Sequence, residues 1–274
     1  MAQVVREVEL SLADIFAIIK KYRQVLLIAP IIFGIAAYIL VAFVIAPKWE
    51  ASGLLQVGQV GPKLVEPIAN VVARMLQPSF AVAVLSQTNF KPQDLPAVKA
   101  LYENSLKVKK IPDADLVEFH LKGYSSDMAR TLAISTVSYL QKNHDEMMAA
   151  SVAPIKAQIQ SANGDIQTLR AEMDSLKKQL QDKHDWNSSN ATLAAIVLQD
   201  KSNQLRELIQ RKQFLDEQLS PTVTFTTKTF GDVTVSEGPV SPKKPVIIGM
   251  AILLGLFSGI FIAFVHNWVS KENA

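Results

Sequence analysis

Two runs of the chain carry no charge, Val25–Ala46 and Val246–Val265. The first has about 22 residues and makes about 33 Å of helix; the second makes about 30 Å, which matches a hydrocarbon core of about 30 Å. Trp268 follows the second run at the place of an interfacial anchor. The first run is longer than the apolar core of a signal peptide, about 7–15 residues, and a polar lead precedes it. The pattern therefore predicts an uncleaved anchor and a second span, with both termini on one side.

Between the runs, Ala51–Gln59 reads as a strand. Leu64, Ile68, Val71, Val72 and Met75 recur at helical spacing and predict a helix over Lys63–Gln77, which Pro78 ends and after which Ser79 caps a short successor. A proline-containing loop around Phe90–Pro96 precedes NSLKVKKI, the turn Pro112–Asp115 and LVEFHLK, a β-hairpin pattern. Ser125 or Ser126 opens a helix through about Met148.

A different pattern follows. Ile155, Ile159, Ala162, Ile166, Leu169, Met173, Leu176 and Leu180 alternate spacings of four and three, the seam of a helix that buries one narrow stripe against another. The seam stops at the polar cluster Asp182–Asn190. Leu193–Leu219 then carries Leu198, Leu205, Leu208, Leu215 and Leu219, with Lys201 and Lys212 interrupting its stripe. Two arms of about 40 Å suggest an antiparallel hairpin; one continuous helix with a mobile middle is the other reading. TVTFTTKTF and VTVSEGPV, rich in Thr and Val, read as strands beside Ala51–Gln59.

The expected organisation is an α+β membrane-anchored protein. Residues 1–24 lead into a transmembrane helix over 25–46. Residues 47–245 form a body on the outer side of the membrane, with an α+β base from 47–150 and 220–240 and a helical arm over 151–219. A second transmembrane helix over 246–268 and a tail over 269–274 complete it.

Composition agrees with this division. The chain is 49% apolar, yet without the two runs it is about 42% apolar, as in an average soluble protein. Arg6, Lys20, Lys21 and Arg23 before the first span favour a cytoplasmic N-terminus, while Lys243 and Lys244 before the second span point the other way. The first span usually dominates, so both termini are expected to be cytoplasmic. A net charge of +3 gives no reason to expect nucleic acid, and the absence of cysteine excludes disulfides and thiolate chemistry.

Pro239, Pro242 and Pro245 recur every third residue before the second span, a spacing that suits polyproline II. Within that span Gly255 and Gly259 form GxxxG, which permits close helix contact with small residues of the first span such as Gly34, or with a neighbouring protomer or another membrane protein. An anchor near the N-terminus, an α+β and helical body, the proline-rich approach and this glycine pair together resemble the Wzz family of polysaccharide co-polymerases, the chain length determinants. The lead VELSLADIFAIIKKYRQVLL is similar to that family's lead as well. The resemblance implies an inner-membrane homo-oligomer, ring-like, that acts without catalysis on a glycan polymerase extending lipid-linked polysaccharide such as O-antigen. The other reading is a structural adaptor for polysaccharide export that links an inner-membrane transporter to the outer membrane. No GxxxxGK[ST] loop occurs, which sets the chain apart from relatives that carry a tyrosine kinase.

Sites are sparse, and no cofactor or metal is expected. His120, His144, His184 and His266 lack ligand spacing. Asp182, His184 and Asp185 read as a solvated turn rather than a metal site. Trp186 either stacks on sugar rings or caps the seam. Asn187-Ser188-Ser189 matches the glycosylation sequon, a pattern common by chance. Lys107 and Lys109 share a strand face, either solvated or facing acidic glycan. Lys243 and Lys244 lie at headgroup level, within reach of membrane lipids. Glu118 and Asp127 have no partner visible in sequence, so acid–base catalysis lacks a constellation.

Overall fold

A computed structural model of the chain describes residues 18–182 and 188–272. It divides into two compact units, one formed by the chain up to Glu50 and from Ser236 onward, the other by Ala51–Val235. In the first unit, α1 (Arg23–Ile39) runs into a π-helical turn, Leu40–Val44, closed by the Ile45 N–H on the Leu40 carbonyl at 3.2 Å. Together they give a 22-residue apolar stretch, Arg23–Val44, long enough to cross a membrane.

β1 (Trp49–Gln56) begins the body. β2 (Gln59–Val60) and β3 (Lys63–Leu64) form a small antiparallel hairpin around Gly61, whose φ of +57° suits glycine. The helix expected from Lys63 therefore starts later, as α2 (Ile68–Met75), because Pro67 supplies a ready-made helical φ and its carbonyl accepts the Asn70 and Val71 N–H groups. Pro78 opens the next helix, α3 (Pro78–Leu85), at a position where its missing N–H costs nothing, so Ser79 lies inside α3 rather than capping it. The expected loop around Pro96 is shorter than the sequence implied, since Pro96 sits in the first turn of α4 (Leu95–Ser105).

β4 (Lys107–Lys110) and β5 (Leu116–Gly123) pair as the expected hairpin, with Val108 opposite Phe119 and Asp113 in a left-handed conformation at the turn. Val117, Phe119 and Leu121 alternate inward along β5 and are fully buried. The Ser125 side chain accepts the Met128 N–H at 3.1 Å and so caps α5 (Ser126–Asp182). Asp127 lies in the first turn of α5, where a carboxylate complements the helix dipole.

Helix α5 does not end near Met148. It runs unbroken for 57 residues, about 86 Å, through the exposed Pro154 and along the whole predicted seam. One proline removes a single hydrogen bond, a cost that packing on both sides of it outweighs. From 153 to 180 every seam residue is shielded and every other residue is exposed. The stripe faces α6 (Ser188–Gln218), which packs back along α5 as an antiparallel hairpin, with Lys201 Nζ on Glu172 Oε2 at 2.6 Å. On α6, Lys201 and Lys212 interrupt that helix's own stripe half-buried and ion-paired, Lys212 with Asp216 at 2.6 Å.

β6 (Lys228–Thr229) and β7 (Thr234–Val235) both pair antiparallel with β1, with Leu55 opposite Thr229 and Ala51 opposite Val235. The sheet order is β4-β5-β1-β6, with β7 also on β1. Ala129, Leu132, Ala133, Val137 and Leu140 of α5 are buried at helical spacing and complete the core with α2–α4. Gly53 of β1 lies under Phe119: a Cβ there would stand 2.8 Å from the ring. Gly53→Ala is expected to destabilise the protein by about 1–3 kcal/mol. A thermal midpoint in detergent equal to that of the unmodified chain would show that the ring yields freely.

The chain returns to the first unit and ends in α7 (Lys244–Glu272), whose Lys244–Ser270 stretch is the second helix able to cross a membrane.

Candidate functional site

The sequence pointed to three places: the glycine pair of the second span, the proline approach to it, and the arm tip. The turn that carries His184, Asp185, Trp186 and Asn187 lies outside the described residues. Among the described residues no group of three His, Asp or Glu could hold a metal ion.

The glycine pair is occupied from within the chain. A Cβ on Gly255 would lie 2.7 Å from the Pro30 Cα and 3.0 Å from the Ala29 carbonyl oxygen; one on Gly259 would lie 3.2 Å from the Ala29 Cβ. A Cβ on Gly34 would lie 3.3 Å from the Ile252 Cγ1. Helices α1 and α7 thus pack antiparallel at backbone contact, the approach that small residues permit in lipid. Pro30 belongs to this contact: with no N–H to satisfy, it presents a smooth surface to Gly255. At the other end of the pair, the Tyr22 hydroxyl lies 3.1 Å from His266 Nδ1, with ring centroids 5.2 Å apart.

The proline approach is not a continuous polyproline II segment. Pro245 lies in the first turn of α7, and Ser241 pairs with Lys48 in an antiparallel bridge. The Lys48 N–H donates to the Ser241 carbonyl and the Val240 N–H to the Lys48 carbonyl, both at 2.8 Å. Proline fits the start of a helix as well as it fits polyproline II, and the neighbouring strand decided between them.

Lys107 and Lys109 lie on the exposed face of β4, opposite His120 and Glu118. Glu118 Oε1 is 3.1 Å from His120 Nε2, so the acid has a partner two residues along its own strand.

One constellation was missed in the sequence. His144 of α5, 1% exposed, places Nδ1 at 2.6 Å from Thr227 Oγ1 and Nε2 at 3.1 Å from Glu66 Oε2. Glu66 Oε1 takes the Arg74 guanidinium at 2.9 Å, and Thr227 Oγ1 accepts the Gly58 N–H at 2.8 Å. With a neutral imidazole every proton has a place: Gly58 N–H to Thr227, Thr227 O–H to Nδ1, Nε2–H to Glu66, Arg74 to Glu66. Burial pulls the His144 pKa down, against the nearby Glu66 that pulls it up, which suits that neutral form. Carboxylate, imidazole and hydroxyl stand in the order of a hydrolytic triad, but Thr227 is 2% exposed and its hydroxyl is already an acceptor. The network therefore ties α5 to α2 and to the segments that follow β1 and lead into β6 rather than facing a substrate. Its members span residues 58 to 227 and show no spacing that sequence reading could detect.

Nearby, burial pushes the Tyr102 phenol up to about 12, while its hydroxyl bonds Thr136 at 2.9 Å. A polar groove of about 750 Å³ runs along α5 past Arg130, Ser138, Gln141 and Asp232, and the buried network does not open into it.

Comparison with known proteins follows this geometry. Among solved structures, a full-length bacterial polysaccharide co-polymerase is 15% identical, with 96% of this chain and 100% of that one covered, at a TM-score of 0.43. A fragment of the polysaccharide co-polymerase WzzB from Salmonella Typhimurium is 14% identical over 71% of this chain and 100% of its own, at a TM-score of 0.26. A mutant of the Shigella flexneri lipopolysaccharide O-antigen chain-length regulator is 12% identical over 72% and 100%, at 0.21. No curated protein sequence matches the chain. Residues 8–101 match the model of the Wzz family, described as chain length determinant protein, the same family that the proline approach and glycine pair resemble.

Proposed function

We propose that this chain is a two-pass inner-membrane regulator of polysaccharide chain length, acting on O-antigen or a related lipid-linked glycan. It works without catalysis, as a homo-oligomeric scaffold whose geometry modulates the glycan polymerase. Residues 47–245 are periplasmic and both termini cytoplasmic, an orientation supported by Lys20, Lys21 and Arg23 before the first span. The observation that carries the reading is the Wzz match over the first span and the start of the body. A second supports the oligomer: Leu193, Ile196 and Val197 lie on one face of α6 and are 61%, 60% and 43% exposed, an apolar patch that a side-by-side neighbour would cover.

Deletion followed by complementation, read on a lipopolysaccharide gel, tests this. The deletion is expected to abolish modal banding while polymer is still made, and the unmodified gene to restore it. A complementing copy with Ile196→Glu should restore banding poorly and sediment as a smaller assembly. Polymer trapped inside the cell would point to an export adaptor instead, and an unchanged gel would reject both readings.

A further inference from the structure

The end of the membrane unit that continues into the body carries charge that spanning does not require. Lys20, Lys21 and Arg23 stand at the opposite end of α1, so basic residues flank the helix pair on both faces. Orientation is set by an excess of Lys and Arg on one face, and Lys243 and Lys244 on the other weaken that signal. Both are exposed and neither has an ion-pair partner among the described residues. The sequence holds no carboxylate between Glu237 and Glu272.

Here the two chain segments border an open cavity of about 470 Å³, lined by Pro47, Ser241, Pro242, Lys243, Lys244 and Pro245 among others. The paired backbone bonds between Lys48 and Val240–Ser241 hold its two walls together. Proline rings give it apolar, donor-free sides, so its polar side chains are one hydroxyl and two ammonium groups, whose two positive charges favour an anion over a cation. Directly below, Val246, Met250 and Leu253 form an exposed helical stripe, 58%, 58% and 52% accessible, that continues from the cavity into the apolar layer.

We propose that this cavity binds the phosphate of an anionic lipid headgroup through Lys243 and Lys244, with the acyl chain lying along Val246, Met250 and Leu253. The stripe favours a lipid over free phosphate, because only a lipid fills both parts. The proposal rests on the reading that α1 and α7 span the bilayer.

The full-length chain in detergent, titrated with phosphatidylglycerol or phosphatidylcholine and followed by native mass spectrometry, tests it. Two interfacial lysines predict that phosphatidylglycerol binds about thirtyfold more tightly than phosphatidylcholine. Lys243→Gln with Lys244→Gln should abolish the preference, and Lys20→Gln with Lys21→Gln should leave it intact. Equal binding of the two lipids, a preference that survives the first double substitution, or one lost equally in both would overturn the site. Displacement of phosphatidylglycerol by millimolar inorganic phosphate would make the ligand a soluble phosphate and overturn the lipid assignment. Extraction of the protein from membranes by carbonate, without detergent, would instead show that the spanning reading had failed.

Discussion

Gly255→Leu should separate the two membrane helices. Even a methyl group at this position would stand 2.7 Å from the Pro30 Cα, which is backbone and cannot rotate away. Leucine adds three further carbons, so α1 and α7 must move apart along their contact. Overpacking of this kind costs about 1–3 kcal/mol where a core relaxes, and a helix pair held mainly by packing has little else to offset it. Since the chain has no cysteine, the contact can be read by joining Tyr22→Cys to His266→Cys with a short bifunctional maleimide, at positions whose native side chains touch. The unmodified pair should cross-link efficiently, Gly255→Ala less, and Gly255→Leu hardly at all. Equal cross-linking in all three would mean that the glycine contact does not hold the spans together.

The second large effect concerns His144. Its pKa is lowered in the folded protein, so folding favours the neutral ring. Above the ordinary value of about 6.5 the ring is neutral in both states and the network is complete. As the pH falls below that value the unfolded chain binds the proton first, and stability declines until the folded pKa is reached, by at most about 1.4 kcal/mol per pH unit. Protonation also places a hydrogen on Nδ1, facing a Thr227 oxygen that already accepts the Gly58 N–H, and leaves the threonine proton without its acceptor. Glu66 favours the charged ring, as does Asp145 along α5, while Arg74 opposes it. Burial is the largest of these influences and decides the sign. The thermal midpoint of the protein in detergent should therefore be lower at pH 5 than at pH 8, and His144→Gln should flatten that dependence. Glu66→Ala leaves the buried His144 Nε2–H without its acceptor and frees the partly exposed Arg74, and should cost about 1–3 kcal/mol, as an unsatisfied buried donor does. A pH profile that is the same with and without His144 would refute the assignment.

These two sites differ in how far the sequence disclosed them. GxxxG at Gly255 and Gly259 is a local pattern, so the close approach was legible. Its partner was not, because a small-residue face fits the first span, another protomer or the polymerase alike. The seam from Ile155 to Leu180 was legible for the same reason, since a repeat that alternates four and three has one structural meaning. Where that helix begins was harder: the change of pattern after Met148 looked like a boundary, yet α5 runs through it from Ser126 to Asp182 without a break. Pro78 and Pro96 misled in the opposite sense, since proline stops one helix as readily as it starts another, and only the buried faces of α3 and α4 show which.

The apolar runs, the hairpin strands and the arm's stripe were determined by the sequence alone, because each follows from a period or a length measured along the chain. Tertiary structure decided what spacing does not encode. It set α1 as the partner of Gly255, turned the three prolines into a strand bridge and a helix start, and gathered Gly58, Glu66, Arg74, His144 and Thr227 into one buried network. Local periodicity reports which face of an element is apolar. A polar cluster assembled from residues up to 169 positions apart carries no such signal, because its energy exists only once the chain has closed around it.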